Sequence, residues 1–186
     1  MDIDDILLQA EEKMQKSLDS LKYDFGRVRT GRANPKMLEP VLVEYYGAKT
    51  PLNQVAGIST PEPTQLLVKP YDKSIIKDIE KAILASNLGV TPNNEGEQIR
   101  IVLPKLDEER RRSLVKQVKQ TSEDARVKVR NARREANEGI KKLEKASDIT
   151  EDDSVAYQED VQDLTDKFIE KIDQELESKE KDLMTV

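Results

Sequence analysis

The chain has no cysteine, no histidine and no tryptophan. Without cysteine there are no disulfides and no thiolate metal sites, and without histidine both the usual general base and the commonest zinc ligand are missing. Most hydrolytic triads therefore cannot be assembled, and neither a catalytic centre nor a metal or other cofactor is expected. Aromatics make up 4% of the 186 residues and charged residues 37%, which is poor material for one large globular core and ordinary for long two-faced helices. No run approaches the ~20 apolar residues of a membrane span, and the opening Met1-Asp2-Ile3-Asp4-Asp5 is an acidic amphipathic pattern in place of a basic leader. A soluble cytoplasmic protein is expected.

Proline is absent from both ends of the sequence: all eight lie between positions 35 and 104. A composition shift that sharp marks an inserted domain, here 31–104, inside a second domain made of 1–30 and 105–186. In the first segment, apolar residues at Ile3, Ile6, Leu7, Ala10, Met14, Leu18, Leu21, Phe25 and Val28 recur in steps of three and four, predicting a helix from Ile3 to Arg29 that ends at Thr30-Gly31. The insert reads as strands at Val41 to Tyr46, Gln65 to Val68 and Gln98 to Leu103, with a weaker candidate at Val55 to Ser59. One short helix interrupts them, from an N-cap at Asp72 to Asn87.

After Pro104 the helical period returns at Leu114, Val118, Ser122, Ala125, Val129, Ala132, Ala136, Ile140 and Leu143. Gly139 sits inside this run at a cost of ~1 kcal/mol relative to alanine, so local softness or a bend is expected there. Thr150-Glu151-Asp152-Asp153 has the form of a capping box opening a third helix, with Tyr157, Val161, Leu164, Phe168, Ile172, Leu176 and Leu183 as its stripe. Three long helices with one stripe each can bury those stripes only against one another. The expected fold is α+β: an elongated, discontinuous three-helix bundle with an inserted small α/β domain in an L-like arrangement. Two chain crossings join the domains, near Gly31-Arg32-Ala33-Asn34 and near Pro104-Lys105, and paired short crossings suit a hinge.

The net charge of −6 is unevenly spread: −2 over 1–104, +6 over 105–145 and −10 over 146–186. At ~100° per residue, with Arg126 at zero, Arg112, Lys116, Lys119, Arg130, Arg133, Arg134 and Asn137 of the middle helix fall between about −20° and +80°. The apolar stripe falls between about −120° and −40°. A basic strip thus runs beside the core. Arginine dominates its centre, and planar guanidinium groups suit phosphate forks and base stacking better than ammonium does. The alternative is a solvated face neutralised by acids of the third helix, the arginines then serving only as charge balance in a protein-docking module.

Other features carry less chemistry. Strand alternation puts one ring of Tyr45-Tyr46 into the core and the other outside. Glu151, Asp152 and Asp153 read as a helix cap before they read as a magnesium site, and there is no glycine-rich phosphate loop.

Several linked segments resemble the bacterial ribosome recycling factor family: Val-Arg-Asn-Ala-Arg-Arg-Glu-Ala-Asn at 129–137, Val-Arg-Thr-Gly-Arg-Ala-Asn-Pro at 28–35 and Val-Glu-Tyr-Tyr-Gly at 43–47. Glu80-Lys81-Ala82-Ile83, Asn87-Leu88-Gly89, Leu106 to Arg111 and Glu159 to Gln162 match in the same order. Val155 and Ala156 depart from it, at positions commonly charged in that family. The resemblance implies a monomeric, non-catalytic factor that binds rRNA of the large ribosomal subunit after termination and, with elongation factor G and GTP, splits the ribosome into subunits. It further implies Arg130 and Arg133 as leading rRNA contacts, Arg29 as a supporting one, and Gly31 to Asn34 with Pro104 to Leu106 as the hinge.

Overall fold

The structure is a computed structural model that describes residues 1–86 and 88–184. In chain order it runs α1 (Ile3–Arg27), a 3-10 turn (Pro35–Leu38), β1 (Leu42–Tyr45), β2 (Ala48–Pro51), the single turn α2 (Leu52–Val55), β3 (Ala56–Glu62) and β4 (Gln65–Pro70). A second 3-10 turn (Lys73–Ile75) leads into α3 (Ile76–Ala85), followed by β5 (Pro92–Asn94), β6 (Ile99–Val102), α4 (Glu108–Lys145) and α5 (Glu151–Met184). The chain forms two compact units, Met1–Phe25 with Arg112–Lys181, and Gly26–Arg111 with the residues from Asp182.

The first unit is the helical one. Each long helix begins at a side chain that satisfies its exposed N–H groups. Asp2 and Asp5 exchange backbone-to-carboxylate bonds of 2.9 and 3.3 Å at the start of α1. Asp107 Oδ1 accepts from the Arg110 N–H at 2.7 Å before α4, and Thr150 and Asp153 form the reciprocal box before α5 at 3.0 and 3.2 Å. Helix α4 closes through Ser147 in the left-handed region (φ 60°), with its N–H on the Glu144 carbonyl and that of Asp148 on Leu143.

The apolar stripes meet as their periodicity requires. Ile6 and Ala10 of α1, Ala136 and Ile140 of α4 and Val161 of α5 form one buried cluster. Met14, Leu18, Leu21, Val118, Val129, Phe168 and Ile172 are likewise buried along the three helices. Small residues let α1 and α4 approach closely: the Ser17 hydroxyl donates to the Ala125 carbonyl at 3.1 Å.

Gly139 belongs to the same contact. Helix α4 runs through it without interruption, and a Cβ at this position would lie 3.0 Å from Ile6 Cδ1 and 3.4 Å from its Cγ1. The glycine expected to soften the helix is instead a docking point for α1. Helix α1 also stops at Arg27, two residues before the expected Arg29.

The second unit holds a two-stranded hairpin, β1–β2, and a four-stranded antiparallel sheet in the order β3-β4-β6-β5. The hairpin turns at Tyr46-Gly47 with φ of 48° and 79°, the doubly positive pattern of a tight two-residue connection. Tyr45, the last residue of β1, packs on the core, while Tyr46 is exposed because it already lies in the left-handed turn and not, as expected, through strand alternation. The weak strand candidate at Val55 to Ser59 is a full strand, β3, but it starts at Ala56 because Val55 closes α2, and it has an irregularity between Ser59 and Glu62. Pro61 there and Pro92 at the head of β5 both sit on edge strands, where a missing N–H costs no ladder bond. Helix α3 packs on β1 and β5 and follows a turn capped by Asp72, whose carboxylate accepts from the Ser74 N–H at 2.9 Å. It ends at Ala85; the expected end at Asn87 lies outside the described residues. Val43, Leu52, Val68, Ile79, Ile83, Ile99 and Ile101 are the heart of this unit's core.

The Gly139 contact makes a direct prediction. Gly139→Val should destabilise the fold by about 2 kcal/mol through overpacking against Ile6, read as a lower urea midpoint at unchanged slope. An unchanged midpoint would contradict the close approach.

Candidate nucleic-acid interface

Arg112, Lys119, Arg126, Arg130, Arg133, Arg134 and Asn137 all lie on α4, so the strip extends about 38 Å along the helix at 1.5 Å per residue. The core stripe of α4 faces α1 and α5, and the strip emerges on the α5 side of that seam. Acids of α5 therefore reach part of it.

Arg126 is the most enclosed member, with a side chain 18% exposed. Its Nε and Nη2 both donate to Asp173 Oδ1 of α5, at 2.9 and 2.6 Å, and Nη1 donates to Glu123 at 3.1 Å. Burial pulls the Arg126 guanidinium toward a lower pKa, but the Asp173 and Glu123 hydrogen bonds and charges outweigh it and hold the pKa above the ordinary value. Lys119 lies 3.9 Å from Glu180 of the same helix α5. At Arg126 and Lys119, then, the balancing arrangement considered for the whole strip is present.

It does not extend along the rest. Arg130 keeps 43% of its side chain exposed and reaches only Glu123 of its own helix, at 3.3 Å. Arg133 donates to the neutral Gln162 Oε1 at 3.3 Å. Such a bond orients the guanidinium without cancelling its charge. Arg134 is exposed and makes no ion pair among the described residues. Asn137 is half-buried, its Oδ1 buried without a hydrogen-bond partner, and Arg112 is exposed at the head of the strip. Gln162, Glu123 and Asp173 are thus the residues that set the strip's geometry. Of these, Asp173 and Gln162 were invisible to helix-local spacing because they come from another helix.

Arg29 is not part of α4. In the second unit its Nη2 donates to the Pro104 carbonyl at 3.0 Å, its Nε is buried without a partner, and a Cβ on Gly89 would lie 3.8 Å from its Nη1. The two crossings are tied locally. Thr30 Oγ1 accepts from the Arg32 N–H at 3.2 Å, and the Ala33 N–H donates to the Pro63 carbonyl at 2.7 Å. Asn34 Oδ1 accepts from the Lys36 N–H at 3.0 Å, and Arg32 lies 3.9 Å from Asp182. Gly31 sits between these anchors. Leu106 is buried, while Pro104 and Lys105 are exposed.

Among the described residues, no group of three or more acidic side chains is arranged to hold a metal ion, and no helix is long and apolar enough to cross a membrane. The strip's chemistry is that of a row of guanidinium donors facing solvent, suited to phosphate oxygens. Asp173→Ala should remove two charge-assisted bonds from Arg126 and lower stability by about 1 kcal/mol. Glu170→Ala, on the exposed face of α5, should leave the melting temperature unchanged; equal behaviour of the two variants would contradict the Arg126 contact.

Comparison with known proteins gives one consistent result. The family model for ribosome recycling factor matches residues 21–184. A ribosome-recycling factor of Natranaerobius thermophilus is 55% identical over 181 residues, covering 97% of this chain and 98% of that protein. One from Bacillus subtilis is 53% identical over 182 residues, covering 98% of each. A solution structure of ribosome recycling factor superposes with a TM-score of 0.84 at 41% identity, covering 100% of this chain and 99% of that one. A structure of the T. thermophilus ribosome recycling factor with E. coli elongation factor G on the E. coli post-termination complex gives a TM-score of 0.72 at 43% identity, with complete coverage of both chains.

Proposed function

The chain belongs to the ribosome recycling factor family, and from that premise we propose that it binds the large ribosomal subunit after termination and, with elongation factor G and GTP, splits the post-termination complex into subunits. The helical domain, 1–30 with 105–186, is the anchor, and its contact is rRNA. Arg130 and Arg133 carry that contact, with Arg134, Arg126, Asn137, Lys119 and Arg112 along the same helix and Arg29 in support. The insert, 31–104, is the moving part, turning on Gly31 to Asn34 and Pro104 to Leu106. The protein acts as a cytoplasmic monomer and catalyses nothing itself; GTP is consumed by its partner.

One observation carries the anchor assignment. Within an acidic chain, the centre of α4 keeps Arg133 and Arg134 without an ion pair among the described residues, beside Arg130, which pairs with Glu123 of its own helix. Selection for stability alone gains little from uncompensated like charge on one helix face. A phosphate backbone accounts for it. Arg126 has a mixed role, since its bonds to Asp173 hold the α4–α5 seam.

Arg133→Ala should lower large-subunit affinity about tenfold, equivalent to ~1.4 kcal/mol, with no change in thermal stability because its partner among the described residues is the neutral Gln162. Undiminished affinity in that variant would move the anchor off this face.

A further inference from the structure

The seam between α1 and α4 lies on the other flank of α4 from the arginine strip. With Arg126 at zero and ~100° per residue, Lys128 falls near −160° and Lys142 near 160°, across the core stripe from Arg130 and Arg133. The side chains that let α1 approach here are small, and they leave a groove open to solvent. One stretch of about 350 Å³ is lined by Ala10, Ala132, Ala136 and Gly139 together with the larger apolar Met1, Ile6 and Leu143. A second of about 290 Å³ continues it past Ser17 and Ser20. The two share Lys13, Ala132 and Glu135, so they form one trough, each stretch of it near the lower end of the ~300–1,000 Å³ range of ligand clefts.

The charge on its rim is one-sided. Lys13 and Lys16 come from α1 and Lys128 and Lys142 from α4, against a single acid, Glu135, which is ion-paired with Lys13. Lys16, Lys128 and Lys142 are exposed and make no ion pair among the described residues. The trough thus offers more uncompensated charge than the Arg126 end of the strip does. Its basic character stops where Asp24 and Asp124 enter the seam beside Ser20 and Leu21. That boundary argues against an indiscriminate attraction for anions along the whole helix.

We propose that this trough is a second nucleic-acid site, which seats the phosphate backbone of a large-subunit rRNA segment other than the one on the arginine strip. Helix α4 is then gripped on both flanks, by guanidinium groups beside α5 and by ammonium groups beside α1. The occupant is polyanionic because the cations are solvated lysines around small side chains. An apolar peptide would need large buried anchors in the trough, and a basic one would be repelled by its rim. Lysine also suits this role: a flexible ammonium group follows a backbone as a point charge without demanding a planar fork.

The inference rests on the rRNA-anchor reading, and the test separates the two. Lys16→Gln/Lys128→Gln, which keeps most of each aliphatic stem, is compared with the unaltered chain, Arg133→Ala and the control pair Lys77→Gln/Lys81→Gln on α3. Retention on purified large subunits is measured across potassium chloride concentrations. The trough pair should bind about tenfold more weakly, with the slope of log affinity against log salt shallower by roughly 1.5–2, as expected for two lost phosphate contacts. An unchanged affinity, an affinity loss without a change of slope, or an equal effect from the control pair overturns the trough. If the trough pair is silent while Arg133→Ala weakens binding, the strip stands alone; if the unaltered chain is not retained, both readings fail.

Discussion

The packing of α1 against α4 is the contact on which the rest of the molecule depends. Ala125, Ala132, Ala136 and Gly139 present almost no side chain toward α1, and Ile6 fills the space that a larger residue at 139 would occupy. Close approach of two long helices fixes their rotation, because ridges of one must fall into grooves of the other. Once α4 is locked in rotation, every side chain along its length has an assigned direction. The arginines emerge on the α5 flank, the lysines on the α1 flank, and the apolar stripe lies between them. A helix free to rotate by a quarter turn would bury Arg130 and expose Val129.

Charge is segregated around that frame. The outer face of α5 carries Asp152, Glu159, Asp163, Asp166, Glu170 and Glu177, all exposed, so acidic and basic side chains occupy separate helix faces. Asp173 lies at the border, and there it is spent on Arg126. The acidic balance of the chain as a whole and the basic character of one helix are therefore two parts of one device. A net negative charge opposes indiscriminate association with polyanions, whereas a local basic face permits it at one place.

Much of this was legible in sequence, and the failures have physical causes. The three long helices announce themselves through period and caps, because each buries a single stripe and begins at an Asp or Thr that bonds its own first turn. The strands at Leu42, Gln65 and Ile99 are rich in branched apolar residues. Strand β2, with Ala48, Lys49, Thr50 and Pro51, and β5, with Pro92, Asn93 and Asn94, are not. Pairing across the sheet overrides their poor propensity. Gly139 was misread because a propensity scale sees only the helix it interrupts, whereas the reason for the glycine sits on a residue 133 positions away, Ile6. The strip's azimuth follows from helical geometry, but its partners Asp173 and Gln162 needed the third dimension. Arg29 was singled out by the family resemblance alone, and its bond to the Pro104 carbonyl, 75 positions away, could not be read from spacing along one helix.

If the rotation of α4 aims a phosphate-binding face outward, counterion release on binding reports it directly. Titrating potassium chloride against retention of the unaltered chain on purified large subunits gives the number of phosphate contacts from the slope. Three engaged guanidinium groups, Arg130, Arg133 and Arg134, predict that log affinity falls linearly with log salt with a slope of about −2 or steeper. A slope near zero would contradict the account, leaving the arginines as ornament on a face that binds something uncharged.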